Sequence, residues 1–222
     1  MLFFLIQNRG NISLTAFFAV LLSYALLVLI CLPFHEFSHA LTAYCLGDDT
    51  AKRQGRLTLH PGAHLDLFGT LMLVLAGIGF AKPVPISPYR FRHRKLGMAL
   101  TAAAGPLSNL LLAFLSMAVF RVICFFVEPN TMPWIICYIV FVNILASVNI
   151  SLAVFNLLPL FPLDGFRIFS LFLPEKWTYQ LEKYHQWITY GVLLLVFLGV
   201  FDRPMTYIHS WFIDLFVTIL HF

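Results

Sequence analysis

Hydrophobic and polar positions fall along this chain in long blocks, apolar runs separated by short charged connections. A helix needs about 20 apolar residues to cross a hydrocarbon core. Ile12 to Phe34 is the first run of that size, and its helical pattern continues through His35–Leu46 to a stop at Gly47. Leu96 to Val127 is the second, interrupted near one end by Gly105-Pro106, and Trp134 to Leu158 is the third. Trp187 to Phe201 and Met205 to Phe222 are shorter candidates, arranged as a hairpin around Asp202-Arg203-Pro204. Leu67 to Phe80 has only 14 residues and contains Gly69, Gly77 and Gly79, which predicts a re-entrant loop rather than a span. Arg56-Leu57-Thr58-Leu59-His60 alternates polar and apolar like a short strand, ended by Pro61-Gly62. The pattern thus predicts an all-α polytopic membrane protein with about five transmembrane helices, a re-entrant loop and a short β-strand or hairpin. One integral membrane domain is expected over residues 1–222, with its core at about 12–170 and C-terminal helices at 187–222.

Composition supports the blocks. Of 222 residues, 60% are apolar and 11% charged, against about 25% charged in a typical soluble domain. That excludes a disordered chain, a disulfide scaffold and an ordinary cytosolic enzyme. The net charge of +4 is read by position, not as nucleic-acid affinity. Lys52, Arg53, Arg56, Lys82, Arg90, Arg92, Arg94, Lys95, Arg167, Lys176 and Lys183 share one face if Leu67–Phe80 does not cross. The positive-inside rule makes that face cytoplasmic, in an inner or plasma membrane. Arg9 and Arg203 are expected in connections on the other side, with Arg121 inside a span near its far end. Met1 to Gly10 has a short apolar stretch and no basic n-region, so the first span is expected to direct insertion itself. The four Cys have no C-x-x-C spacing and are read as buried hydrophobes.

Membrane helices exclude ionisable groups unless function retains them. Against that background His35-Glu36-Phe37-Ser38-His39 stands out. The two His are one helical turn apart, so both imidazoles project from one face and can hold one cation. Glu36 lies close enough to take a proton from water at that ion. Catalytic zinc usually takes three protein ligands. The best third candidate is Asp164, in Asn156-Leu-Leu-Pro159-Leu-Phe-Pro162-Leu-Asp164-Gly165. Two prolines and a glycine break the helix there, at the same membrane end as His35–His39, so the groups can meet.

The His35–His39 motif within a membrane helix, followed in order by the Asn156-to-Gly165 segment, resembles the site-2 protease family of intramembrane zinc metalloproteases. Gly105-Pro106-Leu107-Ser108-Asn109 and Lys82-Pro83-Val84-Pro85 resemble further motifs of its compact bacterial members, without the PDZ or CBS domains of some relatives. The resemblance implies one Zn2+ per chain on His35, His39 and Asp164, and Glu36 as catalytic acid and base. It also implies a transmembrane protein as substrate within the lipid bilayer, with no nucleic-acid partner.

Other residues carry weaker expectations. Asn156 is either an oxyanion donor or an interhelical hydrogen bond; Asn109 is read as helix-packing glue. A strand edge at Leu57 and Leu59 could clamp an unwound substrate. His60 and His64 are expected as loop residues and Asp48-Asp49 as a solvated pair. His93, His185, His209 and His221 need no function. Two competing readings are a catalytically inactive, membrane-embedded protein that binds metal or partners, and a metal-ion pathway along polar residues such as Asn143 and Asn149.

Overall fold

The structure, a computed structural model, describes residues 18, 21–22, 25–69, 71 and 82–221. Most of the predicted re-entrant segment and the first half of the first predicted span lie outside the described residues. Among the described residues the chain is helical and contains no strand.

A π-helical turn, Leu27–Cys31, leads without a break into α1, Leu32–Cys45. Pro33 lies at the junction. It cannot donate to the preceding turn, and a widened turn is one way a helix absorbs that loss. The helix stops where the sequence predicts, at Gly47, whose φ of 101° suits a residue without Cβ. Two short helices follow, α2 (Thr50–Arg53) and α3 (Pro61–His64). α4 (Arg94–Ile123) and α5 (Met132–Asn156) are the two helices long and apolar enough to span a membrane. α5 is π-helical over Ile139–Ala146. α6 (Asp164–Phe169) and α7 (Glu175–Lys183) precede α8 (His185–Phe197) and α9 (Asp202–Leu220).

The expected count of about five spans is not reached among the described residues, which leave out most of the first predicted span. The described residues supply two, or three if α8 and α9 together make one broken span, because these two meet at 76°. They are not the antiparallel hairpin expected around Asp202-Arg203-Pro204. Two polar contacts fix the direction of α9. His209 Nε2 lies 2.8 Å from Ser147 Oγ on α5. Arg121 Nε, near the C-terminus of α4, donates to Leu220 O at 3.3 Å. α9 therefore runs antiparallel to α5, with Asp202 at the Asn156 end. Arg203, expected on the far side, lies at the same end as the other basic residues.

The core is built from small residues that let helices approach closely. α1 buries Ala40 and Ala43, and α4 buries Thr101, Ala102 and Gly105. A second cluster joins α4, α5 and α9 through Ala113, Met117, Ala146, Ile150, Val154 and Phe216.

The expected strand at Arg56–His60 is a loop, in which Thr58, His60 and His64 bond to one another and to α3. Thr58 O meets His64 Nε2 at 2.7 Å, Thr58 Oγ1 accepts from His60 N, and His60 Nδ1 caps α3 at Gly62 N. Leu57 packs beside Ala40, Ala51 and Val84, while Leu59 is exposed. Among the described residues Leu57 and Leu59 thus belong to no strand, the element on which the expected clamp was based. His60 and His64 are loop and short-helix residues, although His64 is fully buried. Asp48, expected in solvent, is fully buried and accepts from Thr50 N, Thr50 Oγ1 and, at 2.6 Å, Ser87 N. Asp49 does face solvent; its hydrogen bond from Arg53 holds its carboxyl below the usual carboxylate range.

Candidate metal centre

α1 places His35 and His39 one turn apart, and both are buried. Their Nε2 atoms are 3.0 Å from each other and each is 3.2 Å from Asp164 Oδ2. Zinc bonds of about 2.0–2.1 Å at tetrahedral angles set neighbouring ligand atoms about 3.3 Å apart. The three atoms are therefore spaced closely enough to share a zinc ion. The chemistry of the donor set, two imidazoles and one carboxylate, fits as well.

Asp164 reaches this position through the broken segment that the sequence marks. After α5 ends at Asn156, the chain turns through Pro159 and Pro162 and starts α6 at Asp164. Gly165 makes the turn possible: a Cβ there would come 2.3 Å from the carbonyl oxygens of Leu157 and Leu158. Burial pushes the Asp164 pKa up, but hydrogen bonds from both His outweigh it and leave the carboxyl below its ordinary range.

α4 closes the other side. A Cβ on Gly105 would come 2.5 Å from His35 Cε1 and from His39 Cε1 and Nε2. Only a glycine lets the helix backbone lie this close to the imidazoles. One turn before it, Thr101 O lies 2.7 Å from His39 Nδ1; one turn after it, the Asn109 amide lies 3.1 Å from His35 Nδ1. Asn109, read from sequence as packing glue, thus touches a candidate ligand, and the role of Thr101 was not foreseen. The signal was present: Thr101, Gly105 and Asn109 recur at every fourth position, one small or polar stripe on an apolar helix.

Comparison with known proteins points to a zinc metalloprotease. The model of peptidase family M50 matches residues 128–199, a stretch that carries Asp164. A Bacillus subtilis protein named "Putative zinc metalloprotease YwhC" is 40% identical over 77% of this chain and 76% of its own length. The chain belongs to peptidase family M50, the site-2 proteases. Proteins named Rip2, under the same zinc metalloprotease description, are 31% identical in Mycolicibacterium smegmatis and 30% in Mycobacterium tuberculosis. These two alignments cover 84% and 85% of this chain, and 71% of each relative. No solved structure matches.

As an M50 member the chain is a membrane metalloprotease with a zinc cofactor, and among the described residues His35, His39 and Asp164 are the group able to hold such an ion. They line a cavity of about 430 Å³. Glu36, half-buried, lines it beside the two His, with Asn156 and Arg167 across from α1. Asn156 Nδ2 donates to Leu152 O at 2.9 Å; an amide carries two N–H hydrogens, so one is left for the cavity. Pro83, Val84 and Ile86 form another wall. They belong to an irregular segment, residues 82–87, pinned by Lys82 N to His64 O and by Ser87 N to Asp48. Asn149 donates to Cys31 Sγ and Leu145 O inside the helix packing. Among the described residues these are its hydrogen-bond partners, so the ion-pathway reading gains nothing from it.

Proposed function

We propose that this chain cleaves peptide bonds within or beside transmembrane segments of other membrane proteins. His35, His39 and Asp164 hold the zinc and Glu36 serves as general base and then acid. The observation that carries the proposal is the convergence of three ligand atoms, 3.0–3.2 Å apart, at the ends of apolar helices. The basic residues at that end, now with Arg203 among them, support a cytoplasmic placement in a multi-pass protein.

Zinc, when bound, supplies a Lewis acid that polarises a carbonyl and acidifies water. The chain's own residues supply the rest. Glu36 takes a proton from the water whose oxygen attacks the scissile carbonyl carbon. As the carbon–nitrogen bond breaks, Glu36 returns that proton to the leaving nitrogen. The spare amide hydrogen of Asn156 is a candidate donor to the carbonyl oxygen as negative charge develops there.

A substrate helix must unwind before its amides can be attacked. The segment of residues 82–87 is suited to hold the unwound stretch. Pro83 and Pro85 have no N–H, so one edge of an extended chain there offers acceptors alone. Val84 and Ile86 alternate with them and present both N–H and C=O on the opposite edge.

The test is cleavage of a single-span substrate in reconstituted membranes by wild type and Glu36→Gln. Retained zinc with cleavage lost in the variant is expected, by roughly 10²-fold or more. Equal cleavage by both proteins would remove Glu36 from the chemistry.

A further inference from the structure

The two imidazoles turn their Nε2 atoms towards Asp164 and their Nδ1 atoms towards α4. On the zinc assignment above, each Nε2 must offer a lone pair to the ion, so each neutral ring carries its hydrogen on Nδ1. For His39 this is consistent: Nδ1–H donates to the carbonyl of Thr101, which can only accept. For His35 the facing atom is Asn109 Nδ2, at 3.1 Å. Two donors would then oppose each other. At the same time Asn109 Oδ1, in a side chain with no solvent exposure, has no hydrogen-bond partner.

One rotation removes the clash of donors, leaving the amide nitrogen rather than the oxygen on the side without a partner. The oxygen and nitrogen of an amide are nearly the same size, and their assignment follows from the hydrogen-bond network. Turning the Asn109 amide over breaks no other bond, because His35 is its one hydrogen-bond partner among the described residues. We infer that Asn109 is a positioning residue whose amide oxygen accepts from His35 Nδ1–H, so that one stripe of α4 fixes the tautomer of both metal-binding histidines. The Thr101 carbonyl and the Asn109 amide bracket Gly105, which brings the stripe within reach of the rings. The inference rests on the proposed zinc site and adds to it the group that orients its first ligand. Partners of this kind typically change metal affinity 10–100-fold.

The experiment uses the full chain in detergent as wild type, Asn109→Asp and Asn109→Leu. Zinc affinity is read by competition with a chromogenic chelator, and the protonated ring nitrogen by NMR of 15N-labelled histidine. Asp offers acceptors only and should keep affinity within about threefold; Leu offers none and should lose about 10–100-fold. In zinc-loaded wild type and in Asn109→Asp, His35 should carry its proton on Nδ1. The inference is overturned if Asn109→Leu binds zinc as wild type does, if Asp weakens binding as much as Leu, or if His35 Nδ1 is bare in loaded wild type. Should the Leu variant not fold, the Asp variant and the wild-type spectrum still decide. A wild type that takes up no zinc would overturn the functional reading with it, whereas the other adverse results overturn this inference alone.

Discussion

Gly105→Ala is a one-carbon perturbation aimed at the close approach of α4 to the ligand rings. The added Cβ would stand 2.5 Å from ring atoms of both His35 and His39, roughly 0.9 Å short of the 3.4 Å at which ordinary contact begins. Neither ring can swing away freely, because each is held on one side by α4 and on the other by Asp164. A retreat of that size would stretch the 2.7 Å bond between His39 and Thr101 to about 3.6 Å, beyond hydrogen bonding. Metal–ligand distances tolerate only about 0.2 Å. Zinc affinity should therefore fall at least about 10–100-fold, or roughly 1.4–2.8 kcal/mol. Folding should survive, because overpacking costs about 1–3 kcal/mol while replacing helical Gly with Ala returns up to about 1. Chelator competition on purified protein measures the first quantity, and circular dichroism with thermal melting measures the second. Gly191→Ala is the control: no atom lies within 4 Å of its Cβ position, so zinc affinity should not change. Wild-type affinity in Gly105→Ala would refute the reasoning that α4 is seated against the ligand rings.

Two further expectations concern the scaffold. Asp48→Ala strands the Ser87 and Thr50 donors and should destabilise the protein by about 1.5–3 kcal/mol. Limited proteolysis should then cut faster between residues 82 and 90, with zinc still bound; an unchanged cutting pattern would show that Asp48 does not pin that wall. Ser147→Ala should weaken the seating of α9 by about 0.6 kcal/mol through loss of its contact with His209. A double-mutant cycle with His209→Ala measures the coupling, and a value of zero would mean that the contact holds nothing.

Much of the site was legible in the sequence because its pieces are local. His35 and His39 share a helix face by spacing alone, and Glu36 follows from the same turn. Pro159, Pro162 and Gly165 announce a break in the backbone, and Asp164 is the carboxylate that the break carries. The apolar block length identified α4 and α5 as spans for the same reason, since the thickness of a bilayer is a fixed ruler. The segment around Leu57 and Leu59 was misread because alternation is only half of what a strand needs. The other half is a partner, and there Thr58, His60 and His64 satisfy one another instead.

What the sequence by itself determined, then, was the helical register of the two histidines, the break that delivers the carboxylate, and the membrane setting of both. Only the tertiary structure decided which face of α4 meets those histidines, that Asn109 and Thr101 reach their far ring atoms, that Asp48 is buried, and that α9 returns with Asp202 at the active end. The physical reason is range. Helical spacing and hydrophobic length act over one turn or one span and can be read along the chain. Close approach at Gly105, like the bond between Arg121 and Leu220, depends on how separate helices pack, and residues 62 to 99 positions apart carry no local mark of their meeting.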